Sequence, residues 1–393
     1  MFRRKNKGWG FVVMFLLAST LLAYPAPVFL RAQEPQQNPP PQQQQSPPAP
    51  PPRRIRRARG EQPKAPAPPP AAKNRASSGD DDDVVRVDTE LANILLTAID
   101  KDRRFVTTLR KEDVRVLEDN AVQDISIFEH ETDLPLSLAI LIDTSRSQEV
   151  ILPDEKAAAH TFIDAVVRPD KDQAAIISFT GEAVLQESLT NDLEKLRSAV
   201  ERVEIEIPDG DPRCEGDVTP ESEPRCYTGV WDALWVIVNE VLSQTPERTR
   251  RAIILLSDGY DTSSQTKKQE AIDLAVKSNV VIYSIGMHDP KGGGDLADDA
   301  LRKVSEKTGG RAFFPLNKPE LNASFAQIQQ ELRSQYLIAY QPANRRRDGS
   351  FRQVRVEIIN PELRKQKLRL LYRQGYYARN APLSTATPRG KSN

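Results

Sequence analysis

The sequence is poor in the side chains that run covalent chemistry. Among 393 residues there are three histidines and two cysteines. His130, His160 and His288 are too scattered for a zinc motif. No Gly-x-Ser-x-Gly elbow, His-Glu-x-x-His helix or phosphate-cradling glycine loop occurs, and Gly292-Gly293-Gly294 is not followed by the Lys-Ser/Thr of a phosphate loop. A strand ending in Asp143 would suit a phosphoryl-transferring hydrolase only with a second carboxylate two residues later, where Ser145 stands. The expectation is a chain that is not an enzyme. Excess charge of one sign is also missing: 55 basic and 55 acidic residues leave a formal net charge of zero, so no overall field favours nucleic acid. Nor is there an apolar run long enough for an ordinary membrane span.

The apolar stretch Trp9 to Ala23 follows the basic residues Arg3, Arg4, Lys5 and Lys7 and precedes Pro25 and Pro27. Its length is typical of a signal-peptide core, so residues 1–32 are expected to be a signal peptide or an N-terminal membrane anchor with its positive side in the cytoplasm. Either way the bulk of the chain is exported to the periplasm, the cell envelope or the medium. Between Pro35 and Pro70 lie 14 of the 31 prolines, which excludes a packed core, and residues 33–83 read as an extended Pro/Gln-rich linker. Within it Arg53-Arg54-Ile55-Arg56-Arg57 reads as a solvated charge run that could touch anionic polymer or lipid. Asp80 to Asp83 mark the boundary of the folded part.

Residues 84–132 read as β, with short runs at Val85–Val87, Ile94–Ile99, Val114–Val116 and Ile125–Ile127. The segment 319–380 opens with a helix and then continues as β, at Tyr336–Tyr340, Val354–Ile358 and Leu368–Leu370, with Asp348-Gly349 as a hairpin turn. Neither flank alone has enough strands to bury a sheet, so the two are expected to meet as one small β-sandwich. Residues 381–393 read as a disordered tail. Between the flanks, residues 133–318 alternate strand and helix. Strands are expected at Leu136–Ile142, Gln173–Phe179, Ala252–Leu256, Val280–Ile285 and Arg311–Phe314. Helices are expected at Asp154–Val167, Asp192–Val203, Val230–Leu242, Lys267–Lys277, Leu296–Glu306 and Pro319–Arg333, with Asp154 and Asp192 as N-caps. This is the pattern of an α/β fold, a doubly wound, mostly parallel sheet.

The apolar run Leu138–Ile142 ends in Asp143-x-Ser145-x-Ser147, and the run Ala252–Leu256 ends in Ser257-Asp258-Gly259. Thr228 stands between them, ahead of a helical stretch. Loops at the carboxyl ends of parallel strands are where open α/β sheets bind ligands. Hydroxyls and carboxylates are hard donors that suit Mg²⁺, Mn²⁺ or Ca²⁺ rather than a thiol-seeking metal. In these residues the chain resembles the von Willebrand factor type A family over about Leu136 to Pro315. The resemblance implies a metal-ion-dependent adhesion site in which Ser145, Ser147 and Thr228 are inner ligands and Asp143 and Asp258 act directly or through water. It further implies that an acidic residue of a protein partner completes the coordination. The expected function is metal-dependent protein binding. The alternative is an envelope assembly role in which the domain docks a neighbouring subunit. More loosely, the chain is similar to bacterial A-domain-related envelope proteins, whose chains often end in a segment like Gly375-Tyr376-Tyr377.

Residues Ile207 to Tyr227 break the alternation with some twenty residues lacking a periodic pattern, the length of a functional loop. The segment carries Asp209, Asp211, Glu215, Asp217, Glu221 and Glu223 against Arg213 and Arg225, and is expected to rim the metal and select the ligand. Cys214 and Cys226, twelve apart in an exported chain, are expected to close this loop as a disulfide, worth about 3 kcal/mol in the chain-entropy model; two free thiols is the alternative.

Overall fold

The computed structural model describes residues 55–57, 91–130, 134–206, 228–246, 249–287 and 295–380. The chain begins with strands: β1 is Arg56–Arg57, β2 Ala92–Ile99, β3 Val114–Glu118, β4 Ala121–Gln123 and β5 Ile125–His130. There follow β6 (Leu136–Asp143), α1 (Leu152–Val166), β7 (Gln173–Phe179), β8 (Ala183–Thr190), α2 (Leu193–Glu201) and α3 (Val230–Val236), which runs on as a π turn at Ile237–Val241. Next come β9 (Arg250–Leu256), α4 (Lys268–Lys277), β10 (Val280–Ile285), α5 (Asp295–Thr308), β11 (Ala312–Phe313) and α6 (Lys318–Arg333). The last elements are β12 (Tyr336–Tyr340), β13 (Phe351–Ile358), α7 (Pro361–Lys365), β14 (Arg369–Leu371) and β15 (Gly375–Tyr377).

The central sheet has the order β1-β8-β7-β6-β9-β10-β11. From β7 to β11 all pairings are parallel, and β8 is antiparallel to β7. Every residue of β6 is buried, because helices cover both faces of the sheet. Leu138, Ile140 and Ile142 pack with Phe162 of α1, Leu196 of α2 and Phe325 of α6. The alternate residues Ala139 and Leu141 pack with Leu234 of α3, Ile272 of α4 and Leu301 of α5. One uninterrupted apolar run thus serves two cores, and its strict alternation makes the strand's register hard to slip.

The flanks form two four-stranded antiparallel sheets, β14-β2-β12-β5 and β15-β13-β3-β4, over a shared core that includes Ile94, Leu96, Val116, Tyr336, Ile338 and Val354. Each sheet draws strands from before and after the central domain. Asp119 and Asn120, with φ of 47° and 67°, make the tight turn between β3 and β4. Arg373 fastens the sandwich to the central domain, donating to Asn279 Oδ1 and to the Asn93 carbonyl. Burial pushes its guanidinium down to about 10. Gly309, at the end of α5, has φ +94°, and a Cβ there would lie 2.7 Å from the Arg373 nitrogen, so only glycine allows this approach.

Four local expectations change. β8 was not expected; Gln186, Glu187 and Ser188 interrupt its apolar pattern, and Gln186 is accommodated by a 2.9 Å bond from its Nε2 to Ser178 Oγ. α1 begins at Leu152, so Asp154 lies inside the first turn instead of capping it; Asp192 does cap α2, accepting from the nitrogens of Glu194 and Lys195. Asp348-Gly349 does not close a hairpin between Tyr336–Tyr340 and Phe351–Ile358, because β12 pairs with β2 and β5 while β13 pairs with β3 and β15. Finally, Arg56 and Arg57 extend the sheet alongside β8 instead of standing free. Ile55 donates to Glu240 Oε2 at 3.1 Å, and Arg56 pairs with Glu182 at 3.2 Å.

Among the described residues no helix is long and apolar enough to cross a membrane. The expected signal or anchor (1–32), the Val85–Val87 strand and the tail (381–393) lie outside the described residues, as does all of the linker except residues 55–57.

Candidate metal site

The chain leaves β6 toward β7 and returns to β9 on the other side of β6. α1, after β6, packs on one face of the sheet and α4, after β9, on the other. The two connections diverge and leave a crevice at the carboxyl ends of β6 and β9, the topological switch point of the sheet.

Asp143 ends β6 fully buried. Its Oδ1 accepts from the Ser145 nitrogen at 2.9 Å and its Oδ2 from Ser257 Oγ at 2.6 Å. Ser145 Oγ lies 3.0 Å from Ser147 Oγ, and Ser147 Oγ donates to Asp258 Oδ2 at 2.6 Å. Asp258 Oδ1 accepts from the Tyr260 nitrogen at 3.1 Å. Gly259, between them, has φ +81° and its Cβ position would meet Leu301 Cγ at 2.9 Å, so the turn that aims Asp258 requires glycine. Ser145 and Asp258 are buried while Ser147 is exposed, which opens the cluster to solvent on the Ser147 side.

Thr228 is buried and held by its main chain. Its nitrogen donates to Thr262 Oγ1 at 2.8 Å, and its carbonyl accepts from the nitrogens of Thr262 and Ser263. The neighbouring Gly229 and Val230 nitrogens donate to the Thr180 carbonyl and to Asp261 Oδ1. Four of the five expected residues thus form one hydrogen-bonded chain, and the fifth is pinned between the loops that follow β7 and β9. Cys214, Cys226 and the loop residues Asp209, Asp211, Arg213, Glu215, Asp217, Glu221, Glu223 and Arg225 lie outside the described residues.

Three residues beyond the five expected ligands join the cluster. Ser257, expected only to line the site, is one, and Gln148 is another, donating from Nε2 to Ser147 Oγ at 3.3 Å. The third is Glu155 in the first turn of α1, with no exposed surface. Neither of its carboxylate oxygens, nor Gln148 Oε1, has a hydrogen-bond donor among the described residues. Burial, and then the carboxylates of Asp143 and Asp258, push Glu155 up to about 8. Burial, and then Asp258, push Asp143 up to about 7 against the bonds from Ser257 and Ser145. Among the described residues no guanidinium or ammonium acts on either group.

Unpaired buried carboxylates are costly unless a cation or a proton neutralises them. The donor set, two carboxylates and two linked hydroxyls with a third carboxylate behind, contains oxygen alone and suits a hard divalent cation. No group of three His, Cys, Asp or Glu side chains placed to hold an ion occurs among the described residues. Hydroxyls are therefore integral to any such site, and Glu155 acts on it from longer range.

Fold and site together define a doubly wound α/β domain with an oxygen-lined crevice at its switch point. Residues 223–331, which include Thr228 and Asp258, match the family model of the von Willebrand factor type A domain. Over this segment, 109 of the 393 residues, the chain is similar to that family. No curated protein matches it. Among solved structures it is similar to proximal thread matrix protein 1 from the mussel byssus (17% identity, 55% of this chain and 51% of that one, TM-score 0.43). It thus spans about half the length of that protein. A structure of the same matrix protein, described as having a zinc-occupied MIDAS motif, matches at 18% identity, 55% and 49% coverage and TM-score 0.41. A von Willebrand factor type A protein from Catenulispora acidiphila matches at 13% identity, 75% coverage of both chains and TM-score 0.42.

Proposed function

We propose that this chain is an exported protein-binding module that engages its partner through a divalent metal, Mg²⁺ or else Mn²⁺ or Ca²⁺. Ser145, Ser147 and Thr228 would hold the ion, with Asp143 and Asp258 supplying charge directly or through water. The observation that carries this reading is the continuous chain from Asp143 through Ser145 and Ser147 to Asp258, beside Asp143 and Glu155 carboxyls on which no described cation acts. When bound, a divalent metal would supply an electrophile for an incoming carboxylate. Because the inner donors on this reading are neutral hydroxyls, the ion keeps much of its charge for the partner. Asp143 is kept from bonding elsewhere by Ser257, and the Ser145–Ser147 pair is aligned before any ion arrives, so little ordering remains to oppose binding. Export rests on the Arg3–Lys7 charges and the Trp9–Ala23 run.

Calorimetric titration of the protein with Mg²⁺, Mn²⁺, Ca²⁺ and Zn²⁺ tests the reading. Saturable uptake of one ion is expected, and Asp143→Ala and Ser145→Ala should each abolish it while the variants keep a cooperative unfolding transition. A wild-type protein that takes up no divalent ion would end the metal-dependent reading.

A further inference from the structure

The face that carries the metal-site residues also carries the three most exposed large apolar side chains among the described residues. Val150 is 89% exposed, Leu296 87% and Leu316 65%, with Tyr260 at 45%. The other large exposed apolar residues, Leu91, Val122, Phe351 and Ile359, are scattered over the sandwich segments. Single exposed apolar residues are ordinary, but a group on one face marks a contact surface.

Each member of the group follows the carboxyl end of a parallel strand. Val150 stands in the loop after β6, Tyr260 in the loop after β9, Leu296 at the start of α5 after β10, and Leu316 between β11 and α6. The order β6-β9-β10-β11 sets these connections side by side at about 4.8 Å per strand. The four residues therefore share the carboxyl edge of the sheet with the metal site. Two of the cations near this row are paired within the domain: Arg302 with Asp298 and Asp299, and Lys318 with Asp154 at 2.8 Å. On the other side of β6 lie Glu182 in the β7–β8 loop, paired with Arg56, and Glu206, whose nitrogen donates to the Thr144 carbonyl. The face is thus lopsided about the metal site, with exposed apolar side chains toward β11 and charged ones of both signs toward β8.

We propose that this face recognises an acidic residue together with aliphatic or aromatic side chains beside it, the carboxylate at the metal and the apolar neighbours along Val150, Tyr260, Leu296 and Leu316. The proposal rests on the metal-dependent reading above and adds the chemical class of the partner segment: acidic at one position and apolar next to it. A purely polar acidic tail would leave the row exposed and forgo the gain from covering it.

The test uses the full chain in Mg²⁺ and three fluorescent peptides read by anisotropy. One has a central Glu flanked by Gly and Ser, one a central Glu flanked by Leu, and one a central Gln flanked by Leu. The Leu-flanked Glu peptide should bind at least ten-fold tighter than the Gly/Ser-flanked one, about 1.4 kcal/mol, and the Gln peptide should not bind. In the triple variant Val150→Ser, Leu296→Ser, Leu316→Ser the advantage should vanish with Mg²⁺ affinity and thermal midpoint unchanged. Equal binding of the two Glu peptides, no binding by either, an advantage that survives in the triple variant, or equal binding of the Gln peptide would each overturn the proposal. Loss of Mg²⁺ uptake by the wild-type chain would instead strike the metal reading itself.

Discussion

At the amino end of the central sheet Asp172 is nearly as buried as Asp143 is at the carboxyl end, 2% and 0% exposed, yet the two carboxyls are driven in opposite directions. Burial works against ionisation in both. At Asp172 it is outweighed by Arg168, which donates from Nε at 2.7 Å and from Nη2 at 2.9 Å, and by the Leu136 nitrogen at the start of β6, so the group stays below its ordinary range. At Asp143 the charge acting on it is a second carboxylate, and the group is raised. Arginines tie down the amino end elsewhere as well: Arg250 donates to the carbonyls of Leu332 and Leu134, and Arg251 to those of Ser278 and Thr245. One end of the sheet is closed by its own cations. At the other end no described cation acts on Asp143 or Glu155, which suits a cation supplied from outside.

Breaking the closed end should have the largest effect. Arg168→Ala leaves Asp172 buried without its partner, and denaturant unfolding at pH 7 is expected to show a loss of about 3–5 kcal/mol. The open end should show itself in pH dependence. Asp143 and Glu155 are both raised in the folded state, to about 7 and about 8. The folded protein therefore binds more protons than the unfolded chain. The stability they contribute is complete below about pH 4 and is lost as pH rises through 7 and 8, each tenfold gain in proton affinity on folding being worth about 1.4 kcal/mol. Unfolding curves in EDTA from pH 5 to pH 9 should decline accordingly, and saturating Mg²⁺ should remove much of the decline. Glu331, which burial pushes up to about 7 despite Arg311, adds to the same slope, so the Mg²⁺-sensitive part is the informative one. A slope that Mg²⁺ leaves unchanged would break the comparison.

A smaller effect is expected from Glu155→Gln, which keeps the shape and removes the charge. It should weaken Mg²⁺ binding about ten-fold by calorimetry without changing stoichiometry, the scale on which groups beyond the direct ligands act; unchanged affinity would make Glu155 a packing residue only. The smallest belongs to Arg56→Ala. Its pair with Glu182 is exposed on both sides, and such pairs contribute little. Its thermal midpoint should match wild type within error, and a large drop would mean that the β1 strand, rather than the ion pair, supports the sheet edge.

Much of the fold was legible because β6, β7, β9 and β10 are short apolar runs bounded by polar turns, and such runs have few alternatives to a buried parallel strand. β8 was not, since its pairing with β7 tolerates a buried Gln186 that a neighbouring Ser178 satisfies. Asp143, Ser145, Ser147 and Asp258 could be read because each stands at the end of such a run. Glu155 could not: in Leu-Pro-Asp-Glu-Lys it looks like one more charge in a solvated first turn. The partners of β12 and β13 were likewise hidden, since a turn signal reports that the chain reverses and not which strand it will pair with.

The order of elements, the two-faced alternation of β6 and the oxygen residues at its end are local properties, and the sequence by itself determined them through side-chain periodicity and turn chemistry. Only the tertiary structure decided which carboxylates lose their water, which find an arginine, and where exposed apolar side chains gather. Those outcomes depend on which elements the strand order sets side by side: Asp172 meets Arg168 within its own loop but also holds the Leu136 nitrogen at the start of β6, while Glu155 is carried by α1 to within the reach of Asp143 and Asp258, with no described residue of opposite charge acting on it.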